Sequence, residues 1–308
     1  MPHMKYLVTG GAGFIGSHLC DALLARGDTV RVVDDLSTGK RENLQPDVEL
    51  IVGDVADPAI MRAAVQGVAG CFHLAAVASV QASLTDLVGT HRTNQTGFVT
   101  LLDALSRLPE RPPVVYASSA AVYGRVAPPL SESAPTRPLS AYGVDKLGCE
   151  LHADVANQVH RIPTVGLRFF NVYGPRQDPS SPYSGVISVF CDRLRQQTPI
   201  TIHGDGTQTR DFIYVTDVVA ALLAAADGAS RFPGVYNVCT GRATSVMELA
   251  TIIASIAGVR PTIVHGPART GDIRHSSGSP AALWETFHLG KPVRLKHGLA
   301  RLLRSMQT

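Results

Sequence analysis

Long hydrophobic runs and a strong net charge are both missing from this sequence. No apolar stretch approaches the roughly 20 residues that a helix needs to cross a bilayer. The longest, residues 218–226, lies between Asp217 and Asp227 and predicts a buried helix. Lys and Arg number 28 against 25 Asp and Glu, a formal net charge of +3, and so small and scattered an excess does not indicate a nucleic-acid or anionic membrane surface. We therefore expect neither a membrane nor a nucleic acid as a partner.

Metal-binding and redox motifs are also missing. The eleven histidines form no H-x-x-x-H or H-E-x-x-H pair, so we expect no metal site. No C-x-x-C pair occurs, and the five cysteines are far apart and mostly in apolar stretches: Cys20, Cys71, Cys149, Cys191 and Cys239. Such cysteines are typical of small core residues in a reducing compartment. Because residues 4–8 predict a first strand and not a signal peptide, we expect a cytoplasmic protein.

The hydrophobic pattern predicts an α/β fold. Hydrophobic residues make up 45% of the 308 residues and charged ones 17%, which is enough for a packed core of one large or two modest domains. Runs rich in Val and Ile predict buried strands at residues 5–8, 29–33, 48–52, 70–74, 113–117 and 164–169. Amphipathic stretches between them predict helices at residues 14–26, 59–66, 94–105 and 142–159. This alternation is typical of a doubly wound parallel sheet.

The alternation weakens after residue 170, where turn-rich segments separate shorter elements. One later segment differs, because residues 210–215 lead into a continuously apolar helix that suits packing against the main sheet. A further amphipathic helix is predicted at residues 246–257, with Gly258 as its end. We expect a doubly wound (Rossmann) domain over residues 1–168, to which residues 210–240 return, interleaved with a smaller α+β substrate domain over residues 169–308.

A glycine-rich turn follows the first predicted strand. Residues 9–16 read T-G-G-A-G-F-I-G and satisfy G-x-G-x-x-G through Gly11, Gly13 and Gly16. The glycines let the backbone turn tightly and approach a pyrophosphate, and the following helix offers N–H donors and its dipole. Such a motif alone is weak, but strand, turn and helix here follow in the required order. The turn therefore predicts a dinucleotide site.

Two aspartates extend this site. Asp34 ends the second predicted strand, 18 residues after Gly16. A carboxylate there can accept a hydrogen bond from a ribose 2′-hydroxyl and would repel a 2′-phosphate, which favours NAD over NADP. Arg31 and Arg41 lie near in sequence, but neither directly follows Asp34. Asp54, after the third strand, either reaches the adenine amino group or is an ordinary loop aspartate.

A tyrosine and a lysine open the long helix after Ser140. Tyr142 and Lys146 are four residues apart, so they share one helix face and the ammonium can lie beside the phenol. A nearby positive charge stabilises a phenolate, which makes a tyrosine a usable base. The spacing is common by chance, and the alternative is an exposed helix pair. It gains weight from Ser118 and Ser119, which end the fifth strand at the sheet edge where such folds bind ligands.

Together these motifs resemble the extended short-chain dehydrogenase/reductase superfamily. They are the glycine turn, Asp34, H-L-A-A at residues 73–76, Asn94, Ser118–Ser119 and the Tyr142/Lys146 pair. More narrowly the chain is similar to NAD-dependent nucleotide-sugar 4-epimerases of the UDP-galactose (UDP-N-acetylglucosamine) type. Further matching segments are L-R-F-F-N-V-Y-G-P at residues 167–175, G-D-G-T-Q-T-R-D-F-I at 204–213 and R-T-G-D at 269–272. The resemblance covers nearly the whole chain.

The resemblance implies a role for each matching position. Ser119 would bind the reacting sugar hydroxyl, Tyr142 would be the base, and Lys146 would hold the nicotinamide ribose. The implied NAD site consists of Gly10, Gly13, Phe14, Ile15, Gly16, Asp34, Asp35, Thr38, Gly39, Asp54, Val55, Leu74, Ala75, Ala76, Asn94, Tyr142, Lys146 and Phe169. The implied UDP-sugar site consists of Ser119, Tyr142, Asn171, Val186, His203, Arg210, Arg269, Asp272 and Ser276. Among these, Asn171, Arg210 and Arg269 would hold the diphosphate and Asp272 the uridine ribose.

The same resemblance separates reactions within the superfamily. Dehydratases and decarboxylases carry a carboxylate after the catalytic serine or threonine, whereas Ala120 and Ala121 follow Ser119 here. We therefore expect reversible epimerisation at carbon 4 through a transient 4-keto sugar, with the cofactor regenerated in each cycle and no net NADH formed. Relatives specific for UDP-glucuronate commonly have Thr where this chain has Asn171, so a neutral hexose is expected. Family members with a small residue at the position of Ser276 also accept N-acetylated sugars, so we expect this chain to accept them.

Some alternatives stay open at this point. The chain could be a UDP-glucuronate 4-epimerase or another nucleotide-sugar oxidoreductase, a dehydrogenase with exchangeable NAD, or a nucleotide-binding regulator without turnover. Arg210, beside Asp211, could instead form a surface ion pair with it. The two helices predicted near residues 94–105 and 141–159 carry more small and apolar residues than one buried stripe needs. That surplus indicates either burial on two sides or, as in relatives, a four-helix bundle between two subunits, and we expect a homodimer.

Overall fold

The computed structural model describes residues 3–179, 185–268 and 273–306. The strands are β1 (Lys5–Thr9), β2 (Thr29–Asp34), β3 (Glu49–Val52), β4 (Gly70–His73), β5 (Val114–Ser119), β6 (Thr164–Phe169), β7 (Asn171–Tyr173), β8 (Ile200–His203), β9 (Thr209–Tyr214), β10 (Gly234–Val238), β11 (Ala243–Ser245) and β12 (Ile263–Gly266). The helices are α1 (Phe14–Ala25), α2 (Pro58–Ala64), α3 (Ala82–Thr85), α4 (Leu87–His91), α5 (Gly97–Ser106), α6 (Ala141–His160), α7 (Val186–Arg195), α8 (Val215–Gly228), α9 (Val246–Ala257), α10 (Ala281–Phe287) and α11 (Leu295–Ser305). None of the helices in this part of the chain has the length and hydropathy needed to cross a bilayer.

A seven-stranded parallel sheet forms the centre of the fold, in the order β10-β6-β5-β4-β1-β2-β3. Its middle strands are buried on both faces, which explains why they appear in the sequence as unbroken apolar runs. One face packs on α1 and α8 through residues such as Leu23 and Leu222. The opposite face packs on α2, α5 and α6 through residues such as Met61, Leu101 and Ala153. The predicted doubly wound α/β fold is confirmed.

Residues 210–240 return to the main sheet and add one helix and one strand to it. Helix α8 packs against α1, and β10 adds the seventh strand beside β6, with Tyr236 opposite Leu167. The return of this segment was predicted, but the strand itself was not, because only the last two of its five residues are buried at the sheet's edge and the polar Asn237 interrupts the apolar run. The division of the chain at residue 168 stays a prediction.

The remaining elements form a second, smaller group. A three-stranded sheet has the order β11-β9-β7 and a two-stranded sheet pairs β12 with β8. Their shared core contains Tyr173, Phe190, Leu249 and Leu299. Of these strands, β7, β8, β11 and β12 were not predicted. Each has only three or four residues and includes polar ones, so none forms an unbroken apolar run.

A helix longer than predicted precedes β5. Helices α4 and α5 run into one another through a π-helical segment, Arg92–Thr96, so the helix predicted to begin at Asn94 begins at Leu87. Insertions of this kind expose one extra residue to a different helix face and are frequent at functional sites. Here the buried side chain at the insertion is that of Asn94, with none of its surface exposed.

Candidate active site

The glycine-rich turn between β1 and α1 leaves no room for side chains. Gly10 has a φ of +69°, and a Cβ built on it would lie 2.7 Å from the backbone nitrogen of Ala75, in the loop after β4. A Cβ on Gly16 would overlap the Gly10 carbonyl oxygen. Gly13 is the N-cap of α1, so the helix presents free N–H groups at this turn. The turn is a backbone cradle suited to a pyrophosphate.

Asp34 lies next to this cradle at the end of β2. Its two carboxylate oxygens accept hydrogen bonds from the N–H groups of Ala12 and Leu36, both at 2.9 Å. Burial raises the pKa of this carboxyl group, while the two N–H groups act against the rise. A Cβ on Gly39 would lie 2.6 Å from Asp34 Oδ1, so a side chain at this position would displace the carboxylate. The nearby Arg31 is held by Glu49 at 2.8 Å and by the Ala64 carbonyl.

Asp54 is already engaged by other protein groups. It accepts hydrogen bonds from the Ala56 N–H at 2.7 Å and from Arg92 Nε at 3.0 Å. Its side chain is 41% exposed, so room remains for a further donor. This arrangement is that of a loop aspartate, and an additional hydrogen bond to adenine stays a prediction.

The loop after β4 is held by Asn94. The Asn94 side-chain amide accepts from the Val77 N–H at 2.7 Å and donates to the Val77 carbonyl at 3.3 Å. This pair of bonds fixes residues 74–77 beside Gly10. The predicted cofactor residues Leu74, Ala75 and Ala76 therefore lie against the glycine turn.

Ser119, Tyr142 and Lys146 are brought to the same edge of the sheet. Ser140 caps α6 by accepting the Gly143 N–H at 3.1 Å, and a Cβ on Gly143 would lie 2.8 Å from the carbonyl oxygen of Ala121. The first turn of α6 thus packs directly on the turn that follows Ser119. Lys146 Nζ lies 5.9 Å from the centre of the Tyr142 ring, and Lys146 is only 2% exposed. An exposed helix pair, the alternative considered for this spacing, is excluded.

His73, the last residue of β4, is near enough to Lys146 for the lysine charge to affect it. Its Nδ1 lies 2.9 Å from the Thr9 hydroxyl, and its Nε2 is buried with no hydrogen-bond partner in the described part of the protein. Burial, together with the charge of Lys146, lowers the pKa of His73 to about 3. The imidazole is therefore neutral at any physiological pH.

Two of the predicted substrate residues, Asn171 and Arg210, lie on the three-stranded sheet. Asn171 starts β7 and pairs in register with Phe212 of the adjacent β9, the strand that carries Arg210. Ser276 lies beside them, because its N–H donates to the Thr209 carbonyl at 3.1 Å. His203 ends β8 and Val186 begins α7. Arg269 and Asp272 lie outside the described residues.

Asp211 settles one alternative that the sequence left open. It is fully buried and accepts hydrogen bonds from the Thr240 hydroxyl at 2.6 Å, the Thr240 N–H at 2.8 Å and the Gly241 N–H at 2.9 Å. A weaker bond of 3.4 Å comes from the Gly278 N–H. A surface ion pair between Asp211 and Arg210 is therefore excluded, because Asp211 instead fastens two loops next to Arg210 and Ser276.

Comparison with known proteins identifies the family. The model of the NAD dependent epimerase/dehydratase family matches residues 6–239. The chain belongs to this family. The UDP-glucose 4-epimerase of Mycolicibacterium smegmatis is 36% identical over 308 residues, 97% of each chain.

Solved structures agree with this membership. The UDP-glucose 4-epimerase of Thermotoga maritima, determined with UDP-glucose, is 34% identical over 99% of each chain with a TM-score of 0.94. The UDP-glucose 4-epimerase of Thermus thermophilus, determined with NAD, is 36% identical over 99% of each chain with a TM-score of 0.91. The predictions of an NAD-dependent epimerase and of NAD as cofactor are confirmed. Other matches are named UDP-N-acetylglucosamine 4-epimerase, UDP-glucuronic acid 4-epimerase and UDP-glucuronic acid decarboxylase, so family membership leaves the sugar open.

The residues of this epimerase-family chain fit NAD. The glycine cradle accepts only backbone and would receive the pyrophosphate, and the Asp34 carboxylate suits a ribose with a free 2′-hydroxyl. Lys146 and Tyr142 lie at the carboxyl edge of the sheet, where the nicotinamide end would be held. NAD, when bound, supplies a hydride acceptor and donor at this point.

The sequence patterns indicated Ser118 but not the buried polar residues that are joined to it. Ser118, Glu150, Arg168 and Asn237 are each 7% exposed or less and are linked by hydrogen bonds close to the predicted catalytic residues. A signal was present, because Glu150 occurs four residues after Lys146 on the buried face of the same helix. Its partner Arg168 was not identifiable, since it belongs to a different strand.

The buried His73 predicts how stability depends on pH. In the unfolded chain a histidine takes up a proton below its ordinary pKa near 6.5, whereas the folded protein resists this until about pH 3. Between these values stability falls as pH falls, by about 1.4 kcal/mol per pH unit from this residue. Between about pH 6 and pH 4, we expect the free energy of unfolding of His73→Asn to fall by about 2 kcal/mol less than that of wild type, measured by urea unfolding.

The exposed His297 on α11 provides the matched control. His297→Gln should retain the wild-type pH dependence. An equally steep loss of stability in His73→Asn would show that His73 does not stay neutral in the folded protein.

Proposed function

We propose that this chain catalyses reversible epimerisation at carbon 4 of a UDP-hexose, UDP-glucose and UDP-galactose and also the UDP-GlcNAc/UDP-GalNAc pair. The observation that carries the proposal is the grouping of Ser119, Tyr142 and buried Lys146 beside a turn whose next residues are Ala120 and Ala121. A hydroxyl, a phenol and an ammonium can move a proton at one carbinol oxygen. No carboxylate stands after Ser119 to eliminate water or to assist decarboxylation.

In the proposed reaction the side chains handle protons and the cofactor handles the hydride. Tyr142 takes the proton from the sugar 4-hydroxyl, and the Lys146 ammonium stabilises the phenolate form that does so. Ser119 hydrogen-bonds the same oxygen and holds it in line. The carbinol becomes a ketone when its oxygen gives this proton to Tyr142 and carbon 4 gives up a hydride, which bound NAD would accept. Tyr142 returns the proton when the hydride is returned to the other face of the carbon.

Inversion requires that the sugar turn over while the nucleotide stays bound. Asn171 and Arg210 on the three-stranded sheet, with Arg269, would hold the diphosphate, and Asp272 would hold the uridine ribose. Val186 and His203 would contact the same nucleotide. A guanidinium is suited to this task because its donors match phosphate oxygens in pairs. Anchoring at the diphosphate leaves the sugar ring free to present either face.

The alternative with most support is a UDP-glucuronate 4-epimerase. Solved relatives of that name share this fold, and both reactions use the same Ser, Tyr and Lys. Asn171 and the small Ser276 favour a neutral or N-acetylated hexose. A plain dehydrogenase with exchangeable NAD is distinguished by its product, since it would accumulate NADH.

We also propose that the enzyme is a homodimer. Helix α6 leaves one apolar stripe uncovered, with Val144, Leu151, Val155 and Val159 each at least 52% exposed. The neighbouring α4 adds Leu87 and Val88, at 60% and 81% exposure. Burial on two sides, the other reading of the surplus apolar residues, is excluded for these positions. Exposed apolar patches of this kind mark association surfaces, and a second copy presenting the same two helices would form a four-helix bundle.

A cytoplasmic location is part of the same proposal. All five cysteines are buried and unpaired, and burial raises the pKa of the Cys20 and Cys71 thiols to about 12. Such thiols are inert small core residues, which favours a reducing compartment.

Loss of the phenol should abolish the proposed reaction. Removing a general base typically costs 10²–10⁴-fold, so we expect Tyr142→Phe to lower kcat by about 10³-fold without displacing bound NAD. The measurement is chromatography of the products after incubation with each UDP-sugar and no added NAD. Tyr236→Phe removes an exposed hydrogen bond from a tyrosine hydroxyl to the Phe232 carbonyl, which the proposed reaction does not use, and should be fully active. Unimpaired inversion by Tyr142→Phe would disprove the mechanism.

Sugar preference should depend on the side chain at position 276. Ser276 is partly buried next to β9, so a tyrosine there would narrow the space beside the sugar. We expect Ser276→Tyr to lose turnover of UDP-GlcNAc and UDP-GalNAc while retaining that of UDP-glucose and UDP-galactose. Equal N-acetyl turnover by wild type and variant would contradict this role.

The dimer proposal predicts a change in mass. In Val88→Asp/Leu151→Asp two charges replace apolar side chains of the uncovered stripes, and burying them against a second copy would be costly. We expect a monomer by analytical ultracentrifugation, with wild type a dimer. Val264→Asp, at an exposed valine of β12, is the control and should remain dimeric. A monomeric wild type, or a dimeric double variant, would refute this interface.

A further inference from the structure

A buried ion pair lies one helical turn beyond Lys146. The Glu150 carboxylate on α6 accepts two hydrogen bonds from Arg168 on β6, at 2.8 Å to Nε and 2.7 Å to Nη2. The two side chains are 6% and 7% exposed. This parallel, two-point contact allows only one relative placement of the guanidinium and the carboxylate. The proposed reaction has no step that uses either residue.

The pair is the centre of a larger hydrogen-bonded group. Ser118 donates to Glu150 Oε1 at 2.5 Å, and Arg168 Nη1 donates to the Tyr123 hydroxyl at 2.7 Å. Tyr123 in turn donates to Asn237 Oδ1 on β10 at 2.7 Å. The guanidinium also lies 4.8 Å from the centre of the Tyr123 ring. We name Ser118, Tyr123, Glu150, Arg168 and Asn237 the Glu150 cluster.

Members of the Glu150 cluster are the immediate neighbours of predicted site residues. Ser118 precedes Ser119, and Glu150 follows Lys146 by one turn of α6. Ser118 and Arg168 are paired in register across β5 and β6, so their side chains leave the sheet on the same face, the one that α6 covers. The cluster thus joins the strand that carries the serine to the helix that carries the tyrosine and lysine.

Stability alone does not account for this choice of residues. Removing two charges from water is costly, and apolar residues of similar volume often replace a buried ion pair with no loss of stability. Apolar packing does not fix the relative orientation of two side chains, whereas the paired hydrogen bonds of a guanidinium group do. We propose that Glu150 and Arg168 are positioning residues, which set the distance between Ser119 on β5 and Tyr142 and Lys146 on α6. The roles of those three residues are taken from the proposed function.

Glu150→Gln tests the positioning role with almost no change of volume. It leaves the Arg168 charge uncompensated and weakens the hold on α6. Because misplacement of reacting groups by about 1 Å costs up to about 10²-fold, we expect kcat to fall about tenfold or more, with KM for the UDP-sugar and bound NAD unchanged. Hydrogen–deuterium exchange should rise in the first turns of α6 and at the end of β5, whether or not substrate is present.

Two further variants separate positioning from stability. Asp28→Asn breaks the pair between Arg26 Nε and a nearly buried Asp28, 2.6 Å apart at the opposite edge of the sheet. It should lower Tm without changing kcat or exchange in α6. Glu150→Met/Arg168→Met replaces the pair by apolar side chains, and it should fold yet show the same loss of kcat. If Glu150→Gln does not fold, the same measurements of kcat and exchange are made on this double variant instead.

The outcomes distinguish the two proposals. Wild-type kcat and wild-type exchange of α6 in a folded Glu150 variant would overturn the positioning role. Failure of the wild-type protein to invert any UDP-sugar would refute the proposed function, and the exchange comparison would then still decide whether the Glu150 cluster holds α6.

Discussion

The reversal of strand order between β1 and β4 is the constraint on which the site depends. From β1 the chain proceeds to β2 and β3 on one side, and from β4 to β5 and β6 on the other. Connections leave the carboxyl ends of β1 and β4 in opposite directions, which opens a crevice at this point. The backbone at Gly10 and the loop at Ala75 approach within this crevice as closely as glycine allows. The predicted cofactor residues Gly10 and Ala75 follow β1 and β4, the two strands that flank this crevice.

Buried charge at this edge follows a consistent pattern. Asp34, Asp211 and Glu150 are all nearly or fully buried, and each is surrounded by N–H or guanidinium donors that the local backbone or a neighbouring strand provides. An unpaired buried charge would cost several kcal/mol, so each donor set fixes the position of its loop or helix as well as satisfying the carboxylate. Lys146 differs, because its charge is directed at the phenol ring and influences the neutral state of His73.

Local sequence was sufficient for the residues that follow strand ends. The glycine turn, Asp34 and Ser119 could be placed at one edge because parallel strands bring their carboxyl ends together whatever the details of packing. Tyr142 and Lys146 could be placed on one helix face because they are four residues apart. The strand β10, the burial of Asp211 and the pairing of Glu150 with Arg168 could not. Each depends on which distant segments become neighbours, and Glu150 and Arg168 are joined only because α6 crosses over β5 and β6. The π-helical insertion at Asn94 was also not predictable, since one extra residue in a helix leaves the apolar period almost unchanged.

In the proposed reaction the smaller group of elements binds the nucleotide, and the main sheet carries the residues that transfer protons. Asp211 fastens the loops beside Arg210 and Ser276 within the smaller group, whereas the Glu150 cluster fastens the serine, tyrosine and lysine within the main sheet. The Asp211 contacts and the Glu150 cluster share no residue. A sugar whose nucleotide is bound by the smaller group can therefore turn its other face to Tyr142 without moving the main sheet. An enzyme that must act on both faces of one carbon needs this independence, because a site that gripped the sugar itself would favour one epimer. Inversion thus requires both that Tyr142 be held in a fixed position and that the sugar ring be free to rotate.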